Sequence, residues 1–474
     1  MTQRTSVLFM TNPELSQSAV NLAVAAELAD GSALDVHFAT FAALDANLVP
    51  PGVTFHVIPG RTVKEIVLAK GLDFMPKHPP GVQGALQAYD EALLYVLAPY
   101  DQDEYFAIFD HCVKLIQRLS PAVVVLDPIF CPGVDAARFL GKRQVILSPG
   151  TFKDHSLHLQ PRLQFLWKYP VACSGFPTPL PLSAISTNIY LLYQLLRRSY
   201  FHPSVTSLVK ARHARGIPGN LPSKYNFLDS NVLYAVPSVR DTEFPLEYIP
   251  PNLVGCGPIL QPFEPLDSAD RGLARWLQAR PTIIVNMGSH LRYGPKQAAE
   301  VLAALESFLE HHPDKQVLWK CPGAGKEAAP HQSPHVRVVS WLPSTPTACL
   351  TTSPSTILAY VHHGGSNSFH EAIAAGVPQV VCPVWTDTYD FASRVELLGI
   401  GVRGNASAAP DVRAEELACA MGRIAGDSME AKGMRNKARL LSKIVGGPDN
   451  GRKIAADHVR GLLFDIESQV LLSS

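Results

Sequence analysis

The sequence predicts an α/β protein of two doubly wound halves facing across a cleft, and three observations predict it. Short apolar runs alternate with segments of helical apolar spacing through both halves of the chain. Val123, Val124, Val125 and Leu126 form a continuous apolar run, which suits a parallel strand covered on both faces. Between the two series, Pro245, Pro250, Pro251, Pro258, Pro262 and Pro265 crowd one segment, the density of an extended interdomain linker. At roughly 150 residues per domain, 474 residues make two or three domains, and 47 % hydrophobic composition supplies their cores.

The first series opens with a strand over 5–10. A helix over 16–29 follows, where Ala19, Leu22, Ala23, Ala26 and Ala29 recur at helical spacing. Further strands are expected over 34–40, 53–58, 122–127 and 143–147. Two Pro-rich stretches, 75–84 and 152–182, read as long surface excursions, where binding specificity usually sits. After the linker the alternation restarts, with strands over 282–287, 315–320, 336–340, 357–361 and 379–382 and helices over 295–311 and 367–375. An amphipathic stretch over 452–463 is suited to pack back on the first half. The expected division is therefore 1–243 for the first domain, 244–270 for the linker, 271–448 for the second domain and 449–474 for the returning helix.

Composition removes several functions. Lys+Arg and Asp+Glu balance at 41 each, without a long basic run, so nucleic acid is not an expected partner. Val7-Leu8-Phe9-Met10 is too short an apolar run for a secretory leader, and no run of ~18 apolar residues offers a membrane span. The eight cysteines are scattered, with no CxxC pair and no zinc spacing, which reads as reduced thiols in the cytoplasm. Asp101-Gln102-Asp103, a possible metal triplet, stands beside Glu104 in the first half and reads as a solvated acidic turn. His362 and His363 are adjacent on a strand and point to opposite faces, a poor metal pair.

The chemistry concentrates in the stretch 360–390, YVHHGGSNSFHEAIAAGVPQVVCPVWTDTYD. A strand ends in His362-His363, Gly364-Gly365 permit a tight turn, and a helix starts near Ser366. Free N–H groups and the positive end of the helix dipole meet there, which makes an anion site. Ser366, Asn367 and Ser368 add donors, and Glu371 lies one turn further along the same face. An acid so close to a phosphate site is suited to a neutral partner such as a ribose diol. A second motif, Trp341-Leu342-Pro343, stands upstream.

On these residues the chain resembles the family-1 UDP-dependent glycosyltransferases, which pair two Rossmann-like domains in the GT-B architecture. It has the look of fungal members that act on small metabolites. Leu253-Val254-Gly255-Cys256-Gly257-Pro258 is similar to the family's segment ahead of the linker, and Asn286-Met287-Gly288-Ser289 to the loop that opens its second half. The resemblance implies that Trp341 stacks on the uracil and Glu371 holds the ribose hydroxyls. It places the diphosphate on His363, Gly364 and Gly365, with Asn367 and Ser368 alongside and Ser289 opposite. It puts Asp387 on the sugar hydroxyls, with Trp385 nearby and Thr388 next to it. Neither a metal nor a cofactor beyond the UDP-sugar donor is implied.

The sequence departs from the family pattern at three positions. Ser344 stands where the family commonly has Gln, and so does Thr388, a change that bears on which sugar is used. Leu15 falls at the position of the family's general-base His, leaving Asp127, the carboxylate that orients that His, without its partner. Glu14 beside it, or Asp127 itself, is then the candidate base. The expected activity is inverting transfer of a hexose, glucose first, to a hydroxyl or carboxyl of a lipophilic small molecule. Phe152, Leu157, Phe165, Leu166 and Trp167 are the candidate acceptor wall. The alternative is a donor-binding protein that lost its base and acts through a protein partner.

Overall fold

The computed structural model describes residues 5–31, 33–222, 228–322 and 335–464. Its first sheet is built from β1 (Ser6–Met10), β2 (Asp35–Phe41), β3 (Val53–Ile58), β4 (Val123–Leu126), β5 (Gln144–Leu147), β6 (Leu233–Val236) and β7 (Leu253–Gly255). All pairs are parallel, in the order β3-β2-β1-β4-β5-β6-β7. The second sheet holds β8 (Thr282–Asn286), β9 (Gln316–Lys320), β10 (Val336–Val339), β11 (Ile357–His362), β12 (Gln379–Val381) and β13 (Gly401–Arg403). It too is parallel, in the order β10-β9-β8-β11-β12-β13.

Covering on both faces explains the continuous apolar strands. In β1, Leu8 and Met10 join a core with Ile108, Phe109, Cys112 and Ile116 of the helix Gln102–Leu119. Val7 and Phe9 point the other way, onto Leu22, Ala23 and Val24 of the helix Leu15–Ala29. The same division recurs in β8, where Ile283 and Val285 meet the helix Pro295–His311 and Ile284 meets Leu273 and Leu277.

Three short strands, β6, β7 and β13, were not visible in the sequence. The β7 strand corrects the expected linker over 244–270: Leu253 and Gly255 pair with Tyr234 and Val236 of β6 and extend the first sheet to its edge. Proline density excludes a central strand, but a three-residue edge strand fits between Pro251 and Pro258. Asp101 of the acidic triplet is a helix cap, its carboxylate accepting from the Glu104 N–H at 2.9 Å.

The helix Asn450–Phe464 lies against the first domain. Ala455, Ala456 and Val459 join the core beneath Val7 and Phe9, Arg452 pairs with Glu27 at 3.1 Å, and Arg460 donates to the Glu27 carbonyl at 2.9 Å. The two domains also meet directly. Arg394 forms a buried ion pair with Glu243 at 2.8 Å, donates to Thr151 Oγ1 at 3.1 Å and lies over the Phe244 ring. Lys153, itself buried, pairs with Asp390 across the same seam at 2.5 Å. Among the described residues no helix is long and apolar enough to cross a membrane. All eight cysteines are free.

Candidate active site

Each sheet reverses its strand order once, between β1 and β4 in the first and between β8 and β11 in the second. Crevices outside the carboxyl ends of such strands are where α/β sheets bind ligands. The candidate residues stand on the loops that leave those four ends: Thr11 to Leu15 after β1, Asp127 after β4, Gly288 to His290 after β8, and His363 to Ser368 after β11.

In the second domain the β11 loop turns at Gly364, whose φ of +91° is a backbone region that side chains other than glycine rarely adopt. The His363 ring is pinched between two other glycines. A Cβ on Gly288 would lie 2.7 Å from its Cε1, and one on Gly365 2.6 Å from its Nε2. Burial lowers the His363 imidazole to about 3, so the ring is neutral, and its Nδ1 is buried without a partner. The helix Ser366–Ala375 begins at this point, its first-turn N–H groups lacking intrahelical acceptors. The neighbouring His362 is structural: its Nδ1 accepts from Gly364 N–H at 3.0 Å, and its Nε2 lies 2.9 Å from Gln379 Oε1.

Three side chains expected on the diphosphate face elsewhere. The Ser368 hydroxyl is buried 3.5 Å from the Tyr360 hydroxyl, so only its backbone N–H serves the helix N-terminus. Asn367 spends its amide on the Leu15 carbonyl of the first domain at 3.1 Å, and Ser366 donates to the Pro149 carbonyl at 2.7 Å. Both therefore tie the domains together. Ser289, by contrast, is exposed on the loop after β8.

Trp341 follows β10 with 56 % of its surface open, and the Lys320 ammonium sits 3.6 Å above the ring. That ammonium also donates to the Gly288 carbonyl at 3.1 Å. Burial lowers it to about 8, against the pull of Glu371. Glu371 is half-buried, and burial raises its carboxyl to about 8 despite Lys320. The aromatic face, ammonium and carboxyl thus form one cluster beside the anion site.

On the other side lies the loop before the helix Thr388–Leu398. Asp387 opens to the cleft, and the removal of bulk water by the surrounding walls raises its carboxyl to about 6. Thr386 donates its hydroxyl to Asp387 Oδ1 at 2.9 Å. Two expectations are corrected here. The Thr388 hydroxyl is buried, accepting from the N–H groups of Val384 at 3.0 Å and Trp385 at 3.1 Å and donating to the Trp385 carbonyl. It holds the turn and does not reach a ligand. Trp385 is buried in the second core, with its ring 5.5 Å from that of His363, which it backs.

In the first domain, Asp127 is fully buried. Its Oδ2 accepts from Thr11 Oγ1 at 3.2 Å, Asn12 N–H at 3.4 Å and Asn12 Nδ2 at 3.3 Å, and its Oδ1 from Ile129 N–H at 3.0 Å. Burial raises it to about 6, and these hydrogen bonds pull it back. With Leu15 at the histidine position, Asn12 takes up the carboxylate, and Asp127 anchors the loop instead of facing a substrate. Glu14 is half-buried at the start of the helix Leu15–Ala29, with its carboxyl raised first by burial and further by the charge of Asp127. Of the expected acceptor wall, Phe152 is in the first core, whereas Leu157, Phe165 and Leu166 are partly open and Trp167 is exposed.

Two residues of the cleft escaped the sequence reading. Lys320 ends β9, and a lysine closing an apolar parallel strand stands by position at the ligand-binding end. His290 follows Ser289, with its Nε2 buried and unpartnered and its ring 5.6 Å from that of Phe74 in the first domain.

Comparison with known proteins agrees with this geometry. The profile of the family described as UDP-glucoronosyl and UDP-glucosyl transferase matches residues 111–440. Glycosyltransferase sdnJ of Sordaria araneosa is 33 % identical over 98 % of both chains. The human 2-hydroxyacylsphingosine 1-beta-galactosyltransferase is 28 % identical over 63 % of this chain and 55 % of its own. Among solved structures, the glycotransferase of kitacinnamycin superposes with a TM-score of 0.65 at 18 % identity, covering 97 % of this chain and all of that one. Phytolacca americana UGT2, complexed with UDP-2fluoro-glucose and pterostilbene, gives 0.61 at 18 % identity, covering 99 % of this chain and all of its own. Two Rossmann-like domains of GT-B type, a switch-point anion site and a family match over most of the chain make this protein a member of the UDP-glucuronosyl and UDP-glucosyl transferase family, a UDP-dependent glycosyltransferase.

Proposed function

We propose that this enzyme transfers glucose from UDP-glucose, with inversion and without a metal, to a hydroxyl or carboxyl of a lipophilic small molecule of secondary metabolism, in the cytoplasm. The observation that carries the reading is the anion site at His363 and the helix Ser366–Ala375, flanked by Trp341 and Glu371 on one side and Asp387 on the other. That order suits a nucleoside, a diphosphate and a sugar. The helix N-terminus, Ser289 and the neutral His363 ring stabilise charge as it develops on the leaving diphosphate. Glu14 takes the proton of the acceptor hydroxyl. The acceptor oxygen then bonds to the anomeric carbon as the bond to phosphate breaks, with the electron pair leaving on UDP. A base supplied by the facing domain supports direct displacement, which inverts the anomeric centre.

The relatives support the substrate classes: one is a galactosyltransferase by name, and one plant structure holds a fluorinated UDP-glucose beside a stilbene. The free cysteines support a reducing compartment. A binding-only role has no support in these relatives, which carry transferase names. The test is to incubate the enzyme with UDP-glucose or UDP-galactose and a panel of phenols, polyketides and terpenoid acids, following UDP release, product mass and anomeric configuration. A β-glucoside is expected. No product from any pairing, or an α-linked one, overturns the reading.

A further inference from the structure

The Pro-rich stretch after the helix Val63–Ala69 is not a free surface loop, because it crosses the cleft and docks on the second domain. Phe74 packs its ring on His290, Met75 joins the second domain's core, and Lys77 lies 3.7 Å from Asp411 and over the Tyr293 ring. At its centre stands His78, only 1 % exposed. Its N–H donates to the Val384 carbonyl at 3.1 Å, its carbonyl accepts from the Tyr389 hydroxyl, and its ring lies 5.2 Å from that of Tyr389.

Both ring nitrogens are engaged, and their partners fix the tautomer. Nδ1 faces the Pro79 carbonyl at 3.0 Å and must donate, so Nε2 is the acceptor, and it receives the Thr386 N–H at 2.8 Å. Thr386 is held at a φ of +27°, a region that a β-branched residue rarely occupies and that persists only when its surroundings impose it. From that turn its hydroxyl reaches Asp387 Oδ1 at 2.9 Å. A chain of two hydrogen bonds thus runs from an imidazole of the first domain to the carboxylate that opens on the cleft.

We propose that His78 is a positioning residue for the sugar subsite: by accepting the Thr386 N–H it fixes the turn that aims Asp387, so the sugar end of the donor site is completed by the first domain. The inference rests on the reading of Asp387 as the sugar's partner. It implies that the second domain suffices for UDP, whereas recognition of the hexose requires the strap from the first.

The experiment uses the full-length enzyme and measures, by calorimetry and steady-state kinetics, the affinity for UDP and the KM and kcat for UDP-glucose and UDP-galactose. His78→Ala should raise KM or lower kcat for the nucleotide sugar by about tenfold, the scale of one buried hydrogen bond, while the UDP Kd moves by less than about twofold. His78→Gln, whose Oε1 can accept from Thr386, should recover most of that loss and covers the case in which the alanine variant does not fold. In an Asp387→Ala background His78→Ala should have no further effect on the nucleotide sugar. The proposal is overturned if UDP and UDP-sugar are lost together, if glutamine does no better than alanine, or if the histidine effect persists in full without Asp387. A parent enzyme that binds neither UDP nor UDP-sugar would instead undo the donor reading beneath it.

Discussion

The two switch points of this molecule have the same architecture and opposite chemistry. At β8 and β11 the loops are rich in glycine, the polar atoms His363 Nδ1 and His290 Nε2 are buried without partners, and Lys320 rests on an open indole face. At β1 and β4 the loop polar groups are turned on one another, with Asp127 receiving bonds from Thr11, Asn12 and Ile129. The first of these regions is a mould with buried polar atoms that have no partner among the described residues. The second is largely self-satisfied, although Asn12 Oδ1 is buried without a partner, and it holds the half-buried Glu14. A shared parallel plan thus fixes where a crevice stands, while the loops decide whether its polar groups are spent internally.

The contrast is broken most severely if Glu14 is not the working group. Glu14→Gln should cut turnover on weakly acidic acceptors by about 10²–10⁴, the usual weight of a general base, with UDP affinity unchanged by calorimetry. Asp127→Asn should instead act mainly on thermal stability, because its hydrogen bonds hold the loop. Equal loss of turnover in both would merge the two roles. Leu15→His should raise turnover only for acceptors of high pKa, read as a change in slope of rate against acceptor pKa.

The mould itself is tested next. Glu371→Ala should weaken UDP by about 1–3 kcal/mol, and Trp341→Ala by a similar amount. Unchanged UDP binding in both, measured by calorimetry, would show that nucleotide goes elsewhere. Thr388→Val removes a hydroxyl that serves two backbone N–H groups and should lower unfolding free energy by about 1–3 kcal/mol in denaturant titration. The preference between UDP-glucose and UDP-galactose should not change, and a changed preference would return Thr388 to the sugar.

The last prediction concerns pH. Glu371 has a folded-state carboxyl raised from 4.5 to about 8, so the folded chain retains a proton that the unfolded chain has lost across that window. The group therefore stabilises fully below about 4.5, and that contribution is lost as pH rises toward 8. Glu371→Gln should accordingly gain in Tm relative to the parent between pH 5 and 8. A gain that is flat across those values, in thermal scans, would mean that the carboxyl is not held protonated.

Much of this was legible in the sequence, for a physical reason. The strands buried on both faces announce themselves as apolar runs, and much of the donor loop is encoded in one contiguous stretch that a single reading of the sequence takes in. What escaped depends on long-range contact. The short edge strand β7 draws its pairing from β6 and has no pattern of its own. Thr388, Ser368 and Trp385 were read as facing the ligand because they stand beside residues that do, but spacing does not say which side of a turn a hydroxyl takes. Lys320 and His78 reach the cleft from other elements, His78 from more than 300 residues away in sequence.

The returning helix Asn450–Phe464 has a consequence for how this enzyme can be taken apart and recombined. Its Ala455, Ala456 and Val459 pack on the face of the first sheet that Val7 and Phe9 present, so the first domain is assembled from segments on either side of the second. A fragment cut at the boundary between the halves would leave part of that apolar face, the part beside the helix Leu15–Ala29, open to water and to other exposed sheets. Chimaeras that exchange second domains between relatives must therefore carry the last helix along with the first domain it covers. A swap made at a single junction grafts a foreign helix onto that surface, and its failure would then report a mismatched seam and not an incompatible sugar.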